Sequence, residues 1–211
     1  MQPSWGREFT RGVVAILVEA PIDAQLASLG RQGLIRAEAD VEPGDDAYRF
    51  HHVLLRDAAY GTLTKRDRAS LHERAAGWLD RDGRGDDAVV GWHLEQAVLY
   101  QPAGTGENVS SATAGERLLR AGMTAWRRAD ARAANNLLTR ALELLPVSQQ
   151  RSEAQCELAL VLRALGLAGA AAEMLTAGRT EAAAAGFGRI ALRAELELLN
   201  VQLASGKVRR P

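Results

Sequence analysis

Two adjacent histidines, His51 and His52, are followed one helical turn later by Arg56 and Asp57 within the run Tyr48-Arg49-Phe50-His51-His52-Val53-Leu54-Leu55-Arg56-Asp57-Ala58-Ala59-Tyr60. An imidazole donates or accepts a hydrogen bond and changes charge near neutral pH. A histidine at a strand-to-helix turn is therefore placed to contact a phosphate oxygen or to handle a proton. Its plain structural alternative is a cap or a lining residue at that junction. An Arg-Asp pair on an exposed helix contributes little by itself.

No other chemistry-bearing constellation accompanies the run. Gly206-Lys207 lacks the upstream glycine and the following Ser or Thr of a phosphate-binding loop. His72-Glu73 is followed at position 76 by alanine, so the two-histidine zinc helix is missing. The four histidines, His51, His52, His72 and His93, offer no second pair at ligand spacing, and no metal site is expected. No nucleophile, base and anion site occur together, so catalytic residues are not expected and the chain is not an enzyme by itself.

Composition narrows the class. Of 211 residues, 47% are hydrophobic and only 5% aromatic. Much of the apolar content is Ala and Leu, the strongest helix formers, which predicts a mostly helical protein. The 26 Lys and Arg balance 26 Asp and Glu. The balance holds on either side of residue 82, so neither part carries the footprint of a nucleic-acid binder. A single cysteine, Cys156, excludes an internal disulfide and fits a reducing compartment. No apolar run approaches the roughly 18 residues of a membrane span, and Met1 to Arg11 lacks the order of a signal peptide. Asn108-Val109-Ser110 is then a chance glycosylation triplet, and a soluble cytoplasmic protein is expected.

The elements that position the histidines can be read from spacing. Thr10 to Val18 reads as a short buried helix interrupted by Pro21. Asp23 is the expected N-cap of a second helix, with Leu26 and Leu29 on one face and Gly33 as its stop. Leu34 to Ala39 alternates as a strand, Glu42-Pro43-Gly44-Asp45-Asp46 is a turn, and Ala47 to His51 returns as a second strand. His52 to Leu63 is the following helix, and Leu71 to Leu79 another. Two helices, a hairpin and a further helix make a winged-helix order, the hairpin being the wing. The polar break Asp82 to Asp87 separates a winged-helix domain, 1–81, from a second domain, 86–211. Ala88 to Tyr100 is helical, and Gln101 to Thr113 reads as a loop.

From Ala114 onward the chain forms helical pairs. Leu118, Ala121, Gly122, Ala125, Ala134, Leu138 and Pro146 keep the spacing of a tetratricopeptide repeat. Small residues at Ala121, Gly122 and Ala134 suit two closely crossing helices. A weaker copy runs from about Ser152 to Ala185, with Ala159, Leu162, Ala171 and Leu175 at corresponding places, and a last helix spans Ile190 to Leu203. Such repeats need roughly three copies for independent stability, and about two and a half are present. The abrupt ends favour a fragment or truncated product. The expected fold class is thus mainly α: a winged helix with a small β-hairpin wing, then a TPR-like α-solenoid.

Gly6-Arg7-Glu8-Phe9, Asp23 to Arg36, Tyr48 to Tyr60 and Leu71 to Leu79 together resemble one bacterial family. Val90 to Ala97 and Asn135 to Pro146 continue the resemblance, which covers nearly the whole chain. The family is the STAND-type ATPase-and-repeat part of multidomain regulators, fused to an adenylate or guanylate cyclase domain or to a LuxR-type DNA-binding domain. The resemblance implies a preceding P-loop nucleotide-binding domain as partner, with ATP or ADP bound there and no cofactor in this chain. It implies that His52-Val53-Leu54-Leu55-Arg56-Asp57 matches the form His-Asp-Leu-Leu-Arg-Asp, with Val53 where that form has aspartate. His52 is then the candidate phosphate sensor, and His51 the rival candidate. The implied function is a non-catalytic signalling segment whose repeats bind a protein partner or self-associate. The alternative is a winged-helix transcription regulator touching DNA. The candidate recognition helix, Asp23 to Gln32, and the acidic wing tip do not favour contact with phosphates.

Overall fold

The computed structural model describes residues 8–38, 46–81, 83, 85–101 and 111–204. The chain is mainly helical, with one small antiparallel sheet. Its strands β1 (Glu8–Thr10), β2 (Ile35–Glu38) and β3 (Ala47–Phe50) lie in the order β1-β3-β2. The register sets Phe9 and Ala37 on either side of Tyr48, and Ile35 opposite Phe50. Alternation in the sequence foretells only the hairpin of β2 and β3. β1 is three residues long, too short to show periodicity, and exists through its pairing with β3.

Helices α1 (Arg11–Val18) and α2 (Asp23–Arg31) are threaded between β1 and β2. Thr10 caps α1, its hydroxyl accepting from the Val13 amide, and the helix expected to be buried carries no buried residue, with Ile16 and Val18 exposed. Gly33 follows α2 with φ +68°, a conformation open to glycine, and so stops the helix as expected. Asp23 does not cap α2. Ile22 holds that position without a side-chain bond, and the Asp23 carboxylate is taken by the Arg11 guanidinium, Nη2 to Oδ2 3.1 Å. That hydrogen bond holds the Asp23 carboxyl below its usual pKa. Ile22, Leu26 and Ile35 are buried together, with Phe9, Tyr48 and Phe50 packed against them. The turn tip expected at Glu42 to Asp45 lies outside the described residues.

The remaining helices are α3 (Val53–Thr62), α4 (Lys65–Arg81), α5 (Asp87–Tyr100), α6 (Ser111–Arg127), α7 (Ala131–Leu144), α8 (Gln149–Ala164), α9 (Ala168–Ala184) and α10 (Gly188–Ala204). α4 starts six residues before Leu71. Its first turn, Lys65-Arg66-Asp67-Arg68, is polar and gives no apolar signal, and Thr64 caps it by accepting from the Asp67 amide at 3.2 Å. The end of the expected loop, Ser111 to Thr113, belongs to α6. Asp86, Asp130 and Ser148 cap α5, α7 and α8.

From α4 on, each helix packs against the next. Ala76 and Leu79 of α4 share a core cluster with Val90 of α5. A larger core runs from α6 to α10 and includes the fully buried Leu118, Leu138, Leu158 and Leu175. The small residues expected at the helix crossing are where the backbones meet: a Cβ on Gly122 would stand 2.8 Å from the Leu138 side chain. Ala159, Leu162, Ala171 and Leu175 are buried in the same way one pair later. Ion pairs reach to helices further along, Arg140 of α7 to Glu95 of α5 and Arg193 of α10 to Glu157 of α8.

Candidate functional site

The β3–α3 junction presents two imidazoles at the surface. His51 extends the hairpin by one bond, its amide donating to the Leu34 carbonyl at 3.0 Å. His52 is the N-cap of α3, with extended backbone (φ −132°, ψ 142°) and no capping bond from its side chain. An N-cap histidine that does not spend its ring on the helix keeps it for another contact. The two rings meet edge to face, centroids 4.8 Å apart. Both residues are exposed. Arg56 and Asp57 pair with each other, Nε to Oδ1 2.9 Å, as a partly exposed charge pair does on a helix surface.

The other end of the same run reaches a second site that spacing along the chain did not reveal. The Tyr60 hydroxyl lies 2.9 Å from His72 Nε2, and His72 Nδ1 lies 3.0 Å from His93 Nδ1. Three helices therefore meet in one hydrogen-bonded chain, α3 through Tyr60, α4 through His72 and α5 through His93. Aromatic rings enclose it: Trp92 is edge-on to His72 at 5.2 Å, and Tyr100 is stacked on it at 6.2 Å. The Arg68 guanidinium sits over Tyr60 at 4.7 Å and over Tyr100 at 5.3 Å, and donates to the Gly61 carbonyl at 3.1 Å.

The electrostatics follow from this enclosure. Burial pushes the His72 pKa down to about 4. His93 is lowered to about 4 by burial first and by the neighbouring His72 second. Burial, with the nearby Tyr100 adding to it, raises Tyr60 to about 12. At neutral pH both imidazoles are uncharged, and one proton is shared along the Nδ1–Nδ1 contact. The sequence did carry a trace of the pair. His72 and His93 stand eleven residues before and ten after Gly83 at the turn between α4 and α5, so an antiparallel helical hairpin brings them face to face.

Among the described residues, no group of three or more His, Cys, Asp or Glu side chains could hold a metal ion. Cys156 is buried, and burial raises its thiol pKa, which leaves it a poor nucleophile. An open groove of about 710 Å³ lies between α9 and α10, with Ala172, Thr176, Ala177 and Thr180 facing Leu198 and Gln202. Among the described residues no helix is long and apolar enough to cross a membrane. No protein-family model, curated protein or solved structure matches the chain.

Proposed function

We propose that this chain is a non-catalytic regulatory segment of a STAND-type signalling ATPase. In this reading a winged-helix unit reports the nucleotide state of a preceding P-loop domain, and a TPR-like array docks a protein partner or a second copy. The observation that carries the reading is His52, an N-cap histidine with an exposed ring and no capping bond at a strand–helix junction. Such a ring can donate to a phosphate oxygen held by an adjacent domain, and losing that contact on nucleotide exchange biases a two-state hinge. Two helices threaded between the first and second strands of a β1-β3-β2 sheet support the winged-helix part. The paired helices with Gly122 against Leu138 support the repeat part.

Calorimetric titration of the 211-residue chain with ATP and ADP tests the division of labour. No heat of binding is expected in the micromolar range, and micromolar affinity overturns the reading. In the longer protein, whose output is a cyclase or a transcription-regulator domain, His52→Ala is expected to change basal output while the melting temperature stays close to that of the parent. The DNA-reading alternative draws little from α2, whose exposed Ala24, Gln25, Ala27, Gly30 and Arg31 include one cation for phosphates. Retardation of duplex DNA in a low-salt gel shift is the result that would favour it.

A further inference from the structure

We propose that the Tyr60–His72–His93 chain is an acid-opened latch that holds α3, and with it the His51–His52 junction, against the α4–α5 hairpin. The inference rests on how α3 is attached and does not depend on the nucleotide-sensor reading. α3 contains no buried residue, and its apolar Val53 and Leu55 are only partly buried. Its C-terminal end is held to α4 by the Tyr60–His72 hydrogen bond, by Arg68 donating to the Gly61 carbonyl, and by Arg68 lying over the Tyr60 ring. α4 and α5, by contrast, share the buried cluster of Ala76, Leu79 and Val90. When the three-helix joint yields, α3 is the part that leaves.

The geometry decides how many protons the joint accepts. With both rings neutral, Tyr60 donates to His72 Nε2 and His72 Nδ1–H donates to His93 Nδ1, or every bond runs the other way. One added proton fits on His72 Nε2 if the Tyr60 hydroxyl turns to accept. That leaves a buried imidazolium enclosed by the Tyr60, Trp92 and Tyr100 rings. A second proton would set two N–H groups against each other across 3.0 Å. Both states are relieved when α3 lifts and water reaches the rings, so acid favours the open form by mass action.

The charged and titratable groups around the pair are Tyr60 from α3, Arg68 on α4 and Tyr100 from α5. Partnered charges of the surrounding helices are engaged with one another. Glu19, following α1, faces Arg74, Asp80 and Asp87 hold Arg117 of α6, and Glu95 holds Arg140 of α7. The low pKa values of both imidazoles agree with a closed joint that resists protonation.

Native-state hydrogen exchange of the whole chain at pH 7 and pH 5, corrected for intrinsic exchange rates, tests the latch. The expected result is a loss of at least about tenfold in α3 amide protection at pH 5, with α7 to α9 unchanged. In the double variant His72→Gln, His93→Gln, α3 protection is expected to be the same at both pH values. Equal α3 protection at both pH values in the native chain overturns the proposal. A parallel loss in α7 to α9 overturns it too, since that is global unfolding. A pH-dependent loss that persists in the double variant also overturns it, by assigning the effect to groups outside the joint. If the double variant does not fold, Tyr60→Phe provides the second arm. It should lower α3 protection already at pH 7, and unchanged protection there overturns the proposal.

Discussion

At the β3–α3 junction His51 and His52 lie side by side in the sequence, exposed, with rings 4.8 Å apart. Between α4 and α5, His72 and His93 are 21 residues apart in sequence and meet at 3.0 Å among Trp92, Tyr60 and Tyr100. The residue type is the same, and the surroundings assign opposite tasks. The exposed pair keeps its rings at the surface, with no capping bond from His52 to its own helix. A pair enclosed by aromatic rings, with a shared proton, is committed to its neighbours, and its ability to titrate becomes a property of the joint. Adjacency in sequence drew attention to the first pair, whereas burial gives the second its energetic weight.

The largest expected effect that separates the two pairs is on stability against pH. The folded-state pKa values of His72 and His93 lie below the ordinary imidazole value of 6.5. The unfolded chain therefore binds protons more tightly than the folded one between about pH 6.5 and pH 4. The free energy of opening the α3–α5 region is fully present above that window and falls as the pH is lowered through it. Read region by region from hydrogen exchange in sub-denaturing urea, it should differ by about 3 kcal/mol between pH 7 and pH 4.5, a value reduced from the two full shifts because His93 is only half-buried. A flat profile would place both buried rings in contact with water and dissolve the comparison.

Next in size is His72→Phe. It fills the site but leaves the Tyr60 hydroxyl and the His93 Nδ1 facing a hydrocarbon ring. A cost of about 1–3 kcal/mol is expected in chemical denaturation. Tyr60→Phe removes one hydroxyl and should cost about 1 kcal/mol, with a greater loss of protection in α3 than in α7 to α9. The smallest effect belongs to the exposed pair. His51→Ala and His52→Ala should each change unfolding free energy by less than about 0.5 kcal/mol. A cost above 1 kcal/mol for either would make the junction structural and remove the contrast with the buried pair.

Much of the architecture was legible in the sequence because helix formation is governed by local spacing. Leu118, Ala121, Gly122, Ala134 and Leu138 foretold a tight helix crossing, and a Cβ on Gly122 would indeed collide with Leu138. Gly33 foretold the end of α2. The misreadings share a cause, which is that they depend on partners distant in the chain or on turns without an apolar signal. Glu8-Phe9-Thr10 becomes a strand only beside β3. Asp23 looked like a cap because of its position, yet Arg11, twelve residues earlier, competes for its carboxylate. Among the site residues, His52 was legible as a junction histidine, and its place as the α3 N-cap agrees with that position. Its ring contact with His51 was not legible, since it depends on rotamers set by the hairpin end.

The sequence alone determined where the apolar faces and helix stops fall, because these follow from periods of a few residues and from backbone preferences at single positions. It also determined the absence of a phosphate-binding loop or a two-histidine zinc helix, since those motifs are contiguous. Only the tertiary structure decided which histidines are buried and what they touch. A titratable group takes its pKa from the water it loses and the charges it faces, and for His72 and His93 both are supplied by helices that meet across the turn at Gly83.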